Sequence, residues 1–299
     1  MSTITVSMSK AQIDDVKKRY TMADIKKTPP YAYYQLKLSD CVITAYESGK
    51  VVFQGEGAEF HAQPFTNEKA KKTGGASLIS KQEGWYPQCG SDEVGTGDYF
   101  GPVVVCAAYV REVDIPYLKE LGIQDSKAIN DELIRKLAPA LIERLAHSLL
   151  ILNNAKYNQI HETDNMVAIK CKLHNQACVH LQKKIEHWPK HVIVDQFVQG
   201  SSYYRYLKSE ASVVRGIHFE TKAENKYLAV ASASIIARYA FLLSFDAMQQ
   251  QYDFTFLKGA SSKVDQNIKA FVARFGKAEL DKVAKVHFAN TKKALGNTM

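Results

Sequence analysis

An α/β fold is the expectation from this sequence, and three observations carry it. From residue 84 onward, short apolar runs alternate with amphipathic helical stretches. Two of those runs, "PVVVCAAYV" at 102–110 and "HVIVD" at 191–195, are too continuously apolar for a strand wetted on one face, so they read as buried strands. The stretch 225–249, "NKYLAVASASIIARYAFLLSFDAMQ", is a long helical run whose small residues suit close packing on a sheet.

The elements follow in order. Residues 9–20 place Ile13, Val16 and Tyr20 on one helical stripe beside Lys17, Lys18 and Arg19. Alternating apolar and polar residues through "YAYYQLKLSDCVITAYESGKVVFQGEGAEF" predict three short strands, with Ser48 and Gly49 turning a hairpin. The polar, glycine-bearing stretch at 66–83 reads as a linker, which sets a small α+β unit at 1–65 apart from a larger one at 84–299. In the larger unit "WYPQCGSD" and "SLLILNNA" read as further strands, and 131–147 as an amphipathic helix despite Pro139. A long helix should start at Asp164 as N-cap and bury Met166, Ile169, Leu173, Ala177, Leu181 and Ile185.

Composition narrows the function. The 299 residues carry 39 Lys plus Arg against 31 Asp plus Glu, a net charge of +8, which tilts the expected partner towards nucleic acid. Five scattered cysteines, Cys41, Cys89, Cys106, Cys171 and Cys178, form no C-x-x-C pair and fit free thiols in a reducing compartment. The N-terminus "MSTITVSMSK" lacks a basic and then apolar leader, and no apolar run approaches the roughly 20 residues that span a bilayer. A cytoplasmic monomer without membrane contact is expected. The histidines form no H-E-x-x-H pattern and no G-x-x-x-x-G-K-[ST] loop occurs, which argues against a zinc site and an NTPase.

Chemistry concentrates at "GSDEVGTGDYFG", residues 90–101. Adjacent carboxylates at Asp92 and Glu93 repel unless something positive screens them. Asp195 closes an apolar strand, at the sheet edge where ligand crevices form, and Glu224 precedes a helix full of small residues. Such acids converging on one point bind hard cations such as Mg²⁺ or Mn²⁺, the composition of a two-metal phosphodiester site. Plainer readings stand beside this one. Asp92 and Glu93 can be turn residues on a solvated loop, Asp195 a turn residue, and Glu224 the end of a capping box begun by Thr221. Gly95 and Gly97 around Thr96 allow either close substrate approach or a tight turn. Ser126 and Lys127 of "QDSK" suit a phosphate or an exposed turn.

The run "GSDEVGTGDYFGPVVVCAAYV" resembles the first motif of the type 2 ribonucleases H, an Asp-Glu pair before a G-x-G turn. "QDSK", "VDQF", "TKAENKYLAVASASIIAR", "FLKGAS" and "HFANT" extend the resemblance, in order, over residues 85–291. Glu224 in "TKAEN" and an N-terminal extension similar to a TATA-binding-protein-like domain, carried by "TAYESGKVVFQGEGAE", point within that family to the ribonuclease HIII branch.

The resemblance implies a ribonuclease H-like mixed five-stranded sheet flanked by helices. It also implies an endonuclease that cuts the RNA strand of RNA/DNA hybrids with two Mg²⁺ or Mn²⁺ ions, leaving 5′-phosphate and 3′-hydroxyl ends. Asp92, Glu93, Asp195 and Glu224 would be its catalytic and metal-holding quartet. Gly95, Thr96 and Gly97 would face the 2′-hydroxyls, with Ser126, Lys127 and Ser234 as further substrate contacts. Relatives often carry a basic residue at the middle of that turn, where this chain has Thr96. The N-terminal unit would grip the hybrid.

Overall fold

A computed structural model describes residues 2–20, 24–25, 28–38, 40–55, 57–58, 61–62, 65, 86–123 and 129–296. The chain divides into two compact units, Met1–Leu78 and Ile79–Met299. The expected linker at 66–83 lies outside the described residues.

The first unit is an antiparallel sheet of β1 (Ser2–Ser7), β2 (Asp24–Ile25), β3 (Ala32–Lys37), β4 (Cys41–Tyr46) and β5 (Lys50–Gly55), in the order β1-β5-β4-β3-β2. Helix α1 (Lys10–Arg19) starts where Ser9 and Gln12 exchange hydrogen bonds in a capping box. Its buried Ile13 and Val16 join Tyr34, Leu36, Ile43, Val51 and Phe53 in one core. Strand alternation therefore sends Gln35 and Lys37 to the opposite face, where Lys37 is exposed and Gln35 donates to the Thr44 hydroxyl at 3.0 Å. Three of these strands were legible in the sequence. β1 carries the same alternation, whereas β2, two residues long, is too short to show a period.

The second unit holds β6 (Gln88–Val94), β7 (Val103–Val110), β8 (His147–Leu152), β9 (His191–Asp195) and β10 (Ile217–Glu220). Their order is β10-β9-β6-β7-β8. β6, β7 and β8 pair antiparallel, while β6, β9 and β10 pair parallel, so this is the mixed five-stranded sheet expected. Its helices are α2 (Ile115–Glu120), α3 (Asp131–Arg144), α4 (Asn154–His161), α5 (Met166–Gln182), α6 (Gly200–Tyr206), α7 (Leu228–Tyr252), α8 (Ser262–Phe275), α9 (Leu280–Val283) and α10 (Ala289–Leu295).

Helix α7 presses on β6 where a side chain is missing: a Cβ on Gly90 would stand 2.2 Å from the Val230 backbone nitrogen. That contact fixes the height of α7 above the sheet, and with it every α7 side chain aimed at β6. α7 is also the one described helix long and apolar enough to cross a membrane, at a mean hydropathy of 1.7, but 72% of that stretch is buried within the fold. All five cysteines are buried and free.

Three local expectations change. Asn165, not Asp164, caps α5 by accepting from the Ala168 N–H at 2.9 Å, while Asp164 pairs with Lys172. Helix α3 stops at Arg144 because His147 already pairs with Ala108 in the sheet. Helix α7 begins at Leu228 because Ala223–Asn225 forms a separate 3₁₀ turn behind a left-handed Lys222.

Candidate active site

Asp92 and Glu93 are not turn residues. Strand β6 runs through both to Val94, pairing Asp92 with Cys106 and Glu93 with Val105. Consecutive strand residues point to opposite faces, and the contacts follow that rule. Asp92 faces α7, where it accepts a hydrogen bond from the Ser234 hydroxyl. Glu93 faces α5, where Lys170 pairs with Oε1 and His174 Nε2 lies 2.8 Å from Oε2.

The two acids differ in charge as well. Burial pushes Asp92 up to about 8, and the neighbouring Glu93 and Asp195 charges add to that rise; the Ser234 hydroxyl and the Glu93 N–H, 2.7 Å from Oδ1, oppose it only in part. Burial also acts on Glu93, but the His174 and Lys170 contacts outweigh it and hold its carboxyl below the usual range.

Asp195 ends β9, the parallel neighbour of β6. Since Ser91 pairs with Val194, the next step of the register sets Asp195 alongside Asp92. Its Oδ1 accepts the Ala223 N–H at 2.9 Å, and Glu224 follows directly, half-buried, its Oε1 taking a hydrogen bond from Asn225. The capping box from Thr221 does not form, because Lys222 at φ 56° turns the chain left-handed before the acid. Asp195 thus stands near Asp92, with the Ala223 N–H bonded to it and Glu224 next along the chain.

The turn after β6 is held from far along the chain. Gly95 has φ 91°, and a Cβ there would come within 2.2 Å of the Pro102 carbonyl oxygen; Gly97 has nothing within 4 Å and leaves its side open. The fully buried Lys285 sends its ammonium to the Asp98 carbonyl, at 2.9 Å, and to that of Gly101. Burial lowers its pKa to about 7. Tyr99 donates its N–H to Gly259 of "FLKGAS", and its hydroxyl meets Thr291 of "HFANT" at 2.9 Å. Two stretches far along the chain, 256–261 and 285–291, thereby meet behind one turn. Ser126 and Lys127 lie outside the described residues.

Sequence reading missed Lys170, His174 and Lys285. A signal for the first two existed: a lysine and a histidine four apart, next to the apolar stripe of a buried helix, need partners inside the fold.

The family described as Ribonuclease HII matches residues 89–291, and a domain of unknown function, DUF3378, matches 3–77. Ribonuclease HIII of Bacillus mycoides is 41% identical over 98% of this chain and 97% of its own length; that of Bacillus anthracis is 40% identical over 98% of each. The chain belongs to the ribonuclease HIII family. The crystal structure of Bst-RNase HIII in complex with Mn²⁺ superposes over the whole of both chains with a TM-score of 0.71 at 37% identity. The ribonuclease H2 of Pyrococcus horikoshii, at 22% identity, covers 70% of this chain and 96% of its own with a TM-score of 0.58, which shows a shared fold. As a member of the ribonuclease HIII family the chain is a hydrolytic endoribonuclease.

Proposed function

We propose that this ribonuclease HIII hydrolyses the RNA strand of RNA/DNA hybrids through Asp92, Glu93, Asp195 and Glu224, which hold two Mg²⁺ or Mn²⁺ ions, and that it leaves 5′-phosphate and 3′-hydroxyl ends. The observation that carries the site assignment is the register bringing Asp195 towards a buried Asp92 that has no cation beside it among the described residues. An all-oxygen, carboxylate-rich donor set is what hard divalent ions take. Among the described residues no three His, Cys, Asp or Glu side chains stand close enough together to hold a metal ion, so the four carboxylates would have to move together to take one. Divalent ions bound there supply Lewis acidity toward the attacking water and the departing 3′ oxygen.

The chain's own groups do the rest. Ser234 steadies Asp92, and the Ala223 N–H holds Asp195. The open side of Gly97 and the backbone from Gly95 through Thr96 let the RNA strand approach closely enough for its 2′-hydroxyls to be read. Ser126 and Lys127 are assigned to phosphate contacts. Residues 1–65 form the substrate-gripping domain, in which the face carrying Gln35 and Lys37 offers an amide and a cation to a nucleic-acid backbone; 84–299 form the catalytic domain. The enzyme acts as a cytoplasmic monomer in replication and repair.

The test is cleavage of a labelled RNA/DNA hybrid in Mg²⁺ beside duplex DNA, duplex DNA with one embedded ribonucleotide, and the Asp195→Asn variant. Cutting confined to the RNA strand of the hybrid and abolished in the variant is expected. Preferential incision at the single ribonucleotide would replace the substrate assignment, and an unimpaired variant would remove the site assignment.

A further inference from the structure

The α5 side of β6 holds a polar cluster that the proposed reaction does not use. His174 is fully buried and Lys170 nearly so. His174 Nδ1 lies 2.7 Å from the Ser91 hydroxyl, which itself sits 2.9 Å from the Cys106 carbonyl oxygen. The Ser91 hydroxyl bridges the Cys106 carbonyl oxygen and His174 Nδ1, and so ties the ring to the sheet. The other ring nitrogen faces Glu93 Oε2, and the Lys170 ammonium takes Oε1. Phe197, two residues past Asp195, closes the cluster: its ring stacks on the His174 ring at 5.2 Å and lies 3.9 Å from Lys170 Nζ.

Each Glu93 oxygen therefore spends one lone pair on a fixed donor and keeps another free. Both donors stand on α5 at i and i+4, one turn apart, so they meet the carboxylate as a rigid pair. The Ser91 contact sets the tilt of the imidazole, and the Phe197 ring stops either donor from swinging away.

We infer that Lys170 and His174 are positioning residues that bracket the Glu93 carboxylate and fix the direction in which it meets a divalent cation. This inference rests on the assignment of Glu93 as a metal-holding residue. Partners that hydrogen-bond a ligating carboxylate commonly carry roughly 10- to 100-fold of metal affinity.

The experiment titrates the full-length chain with Mn²⁺ in the absence of nucleic acid, reading free Mn²⁺ by electron paramagnetic resonance. Variants are Lys170→Met, His174→Leu, Ser91→Ala, Lys170→Arg and Glu93→Gln, each first melted in chelator to establish that it is folded. Lys170→Met and His174→Leu are expected to weaken Mn²⁺ binding roughly 10- to 100-fold, with Lys170→Arg recovering most of the loss. Ser91→Ala removes only the anchor of the imidazole and leaves the charges in place, so it should cost less than either. It also keeps the question answerable if Lys170→Met does not fold. Unchanged affinity in the folded variants would reduce the bracket to a packing feature, and tighter binding would make it a competitor of the metal; either overturns the inference. Unchanged affinity in Glu93→Gln would instead overturn the assignment of Glu93 beneath it.

Discussion

The two faces of strand β6 treat neighbouring acids in opposite ways. On the α7 face, Asp92 is met by a serine hydroxyl and a backbone N–H, both neutral, and its carboxyl rises to about 8. On the α5 face, Glu93 is met by Lys170 and His174, and its carboxyl falls below the ordinary range. The acids are consecutive in sequence and both are largely buried, so burial does not decide the difference. What decides it is whether a helix brings a cation to the same face. One acid has its countercharge built into the fold, and the other has none among the described residues, which leaves it to the proposed metal ions.

The largest effect expected from this contrast is on turnover. Asp92→Asn keeps the size of the side chain and removes its charge. It should lower hybrid cleavage at least about a thousandfold, roughly 4 kcal/mol of barrier, measured as single-turnover rates in Mg²⁺. The same change should stabilise the metal-free protein at neutral pH by at least about 1 kcal/mol, roughly 2–4 °C in the melting of the larger unit, because Asn needs no proton taken up on folding. A lower melting temperature in chelator would contradict the unpaired state of Asp92.

Glu93→Gln should move stability the other way. Neutralising one side of a buried pair strands the ammonium of Lys170, a loss of about 3 kcal/mol or roughly 6–12 °C. Melting both variants in chelator checks the contrast directly. Two shifts of the same sign would break it.

Little of this contrast was legible in the sequence, although the acids themselves were. Asp195 at the end of "HVIVD" and the pair in "GSDEVGTG" stood out because acids interrupt apolar strand patterns. The faces they occupy depend on β6 continuing to Val94, and glycines at 95 and 97 made the chain look turned earlier. Lys170 and His174 were hidden for another reason. The period of α5 reports its apolar stripe, and polar residues beside that stripe look solvated until the sheet is placed against them. Lys285 is less legible still, since its partners are carbonyls nearly 190 positions away.

A smaller effect is the pH dependence of metal-free stability. Between the unfolded value of 3.8 and the folded value of about 8, native Asp92 keeps a proton that the unfolded chain has lost. Native binding of the extra proton makes stability fall as pH rises through that window, and the fall ends above about 8. Asn cannot titrate, so the stability advantage of Asp92→Asn over the wild type in chelator should widen from pH 4 to pH 8 and then level. An advantage that is flat across the window would place the ordinary carboxylate value on Asp92 in the native state.

The smallest effect concerns the turn that carries the fourth acid. Lys222 sits at φ 56°, in the left-handed region where a side chain costs about 1–2 kcal/mol, and the turn it makes lets Ala223 donate to Asp195 just before Glu224. Glycine removes that strain, but it also frees the unfolded chain by about 0.4–1 kcal/mol. The two nearly cancel, so Lys222→Gly should shift melting in chelator by no more than about 2–4 °C and in the stabilising direction. Cleavage reports on the other half of the question. If the left-handed turn alone sets the position of Glu224, the glycine variant keeps its Mg²⁺ dependence, because the backbone it needs is the one glycine adopts most readily. A weakened Mg²⁺ dependence at unchanged stability would show that the rigidity of Lys222 also holds that acid in place. Its position would then be fixed partly by strain, unlike that of Glu93, which is fixed by partners.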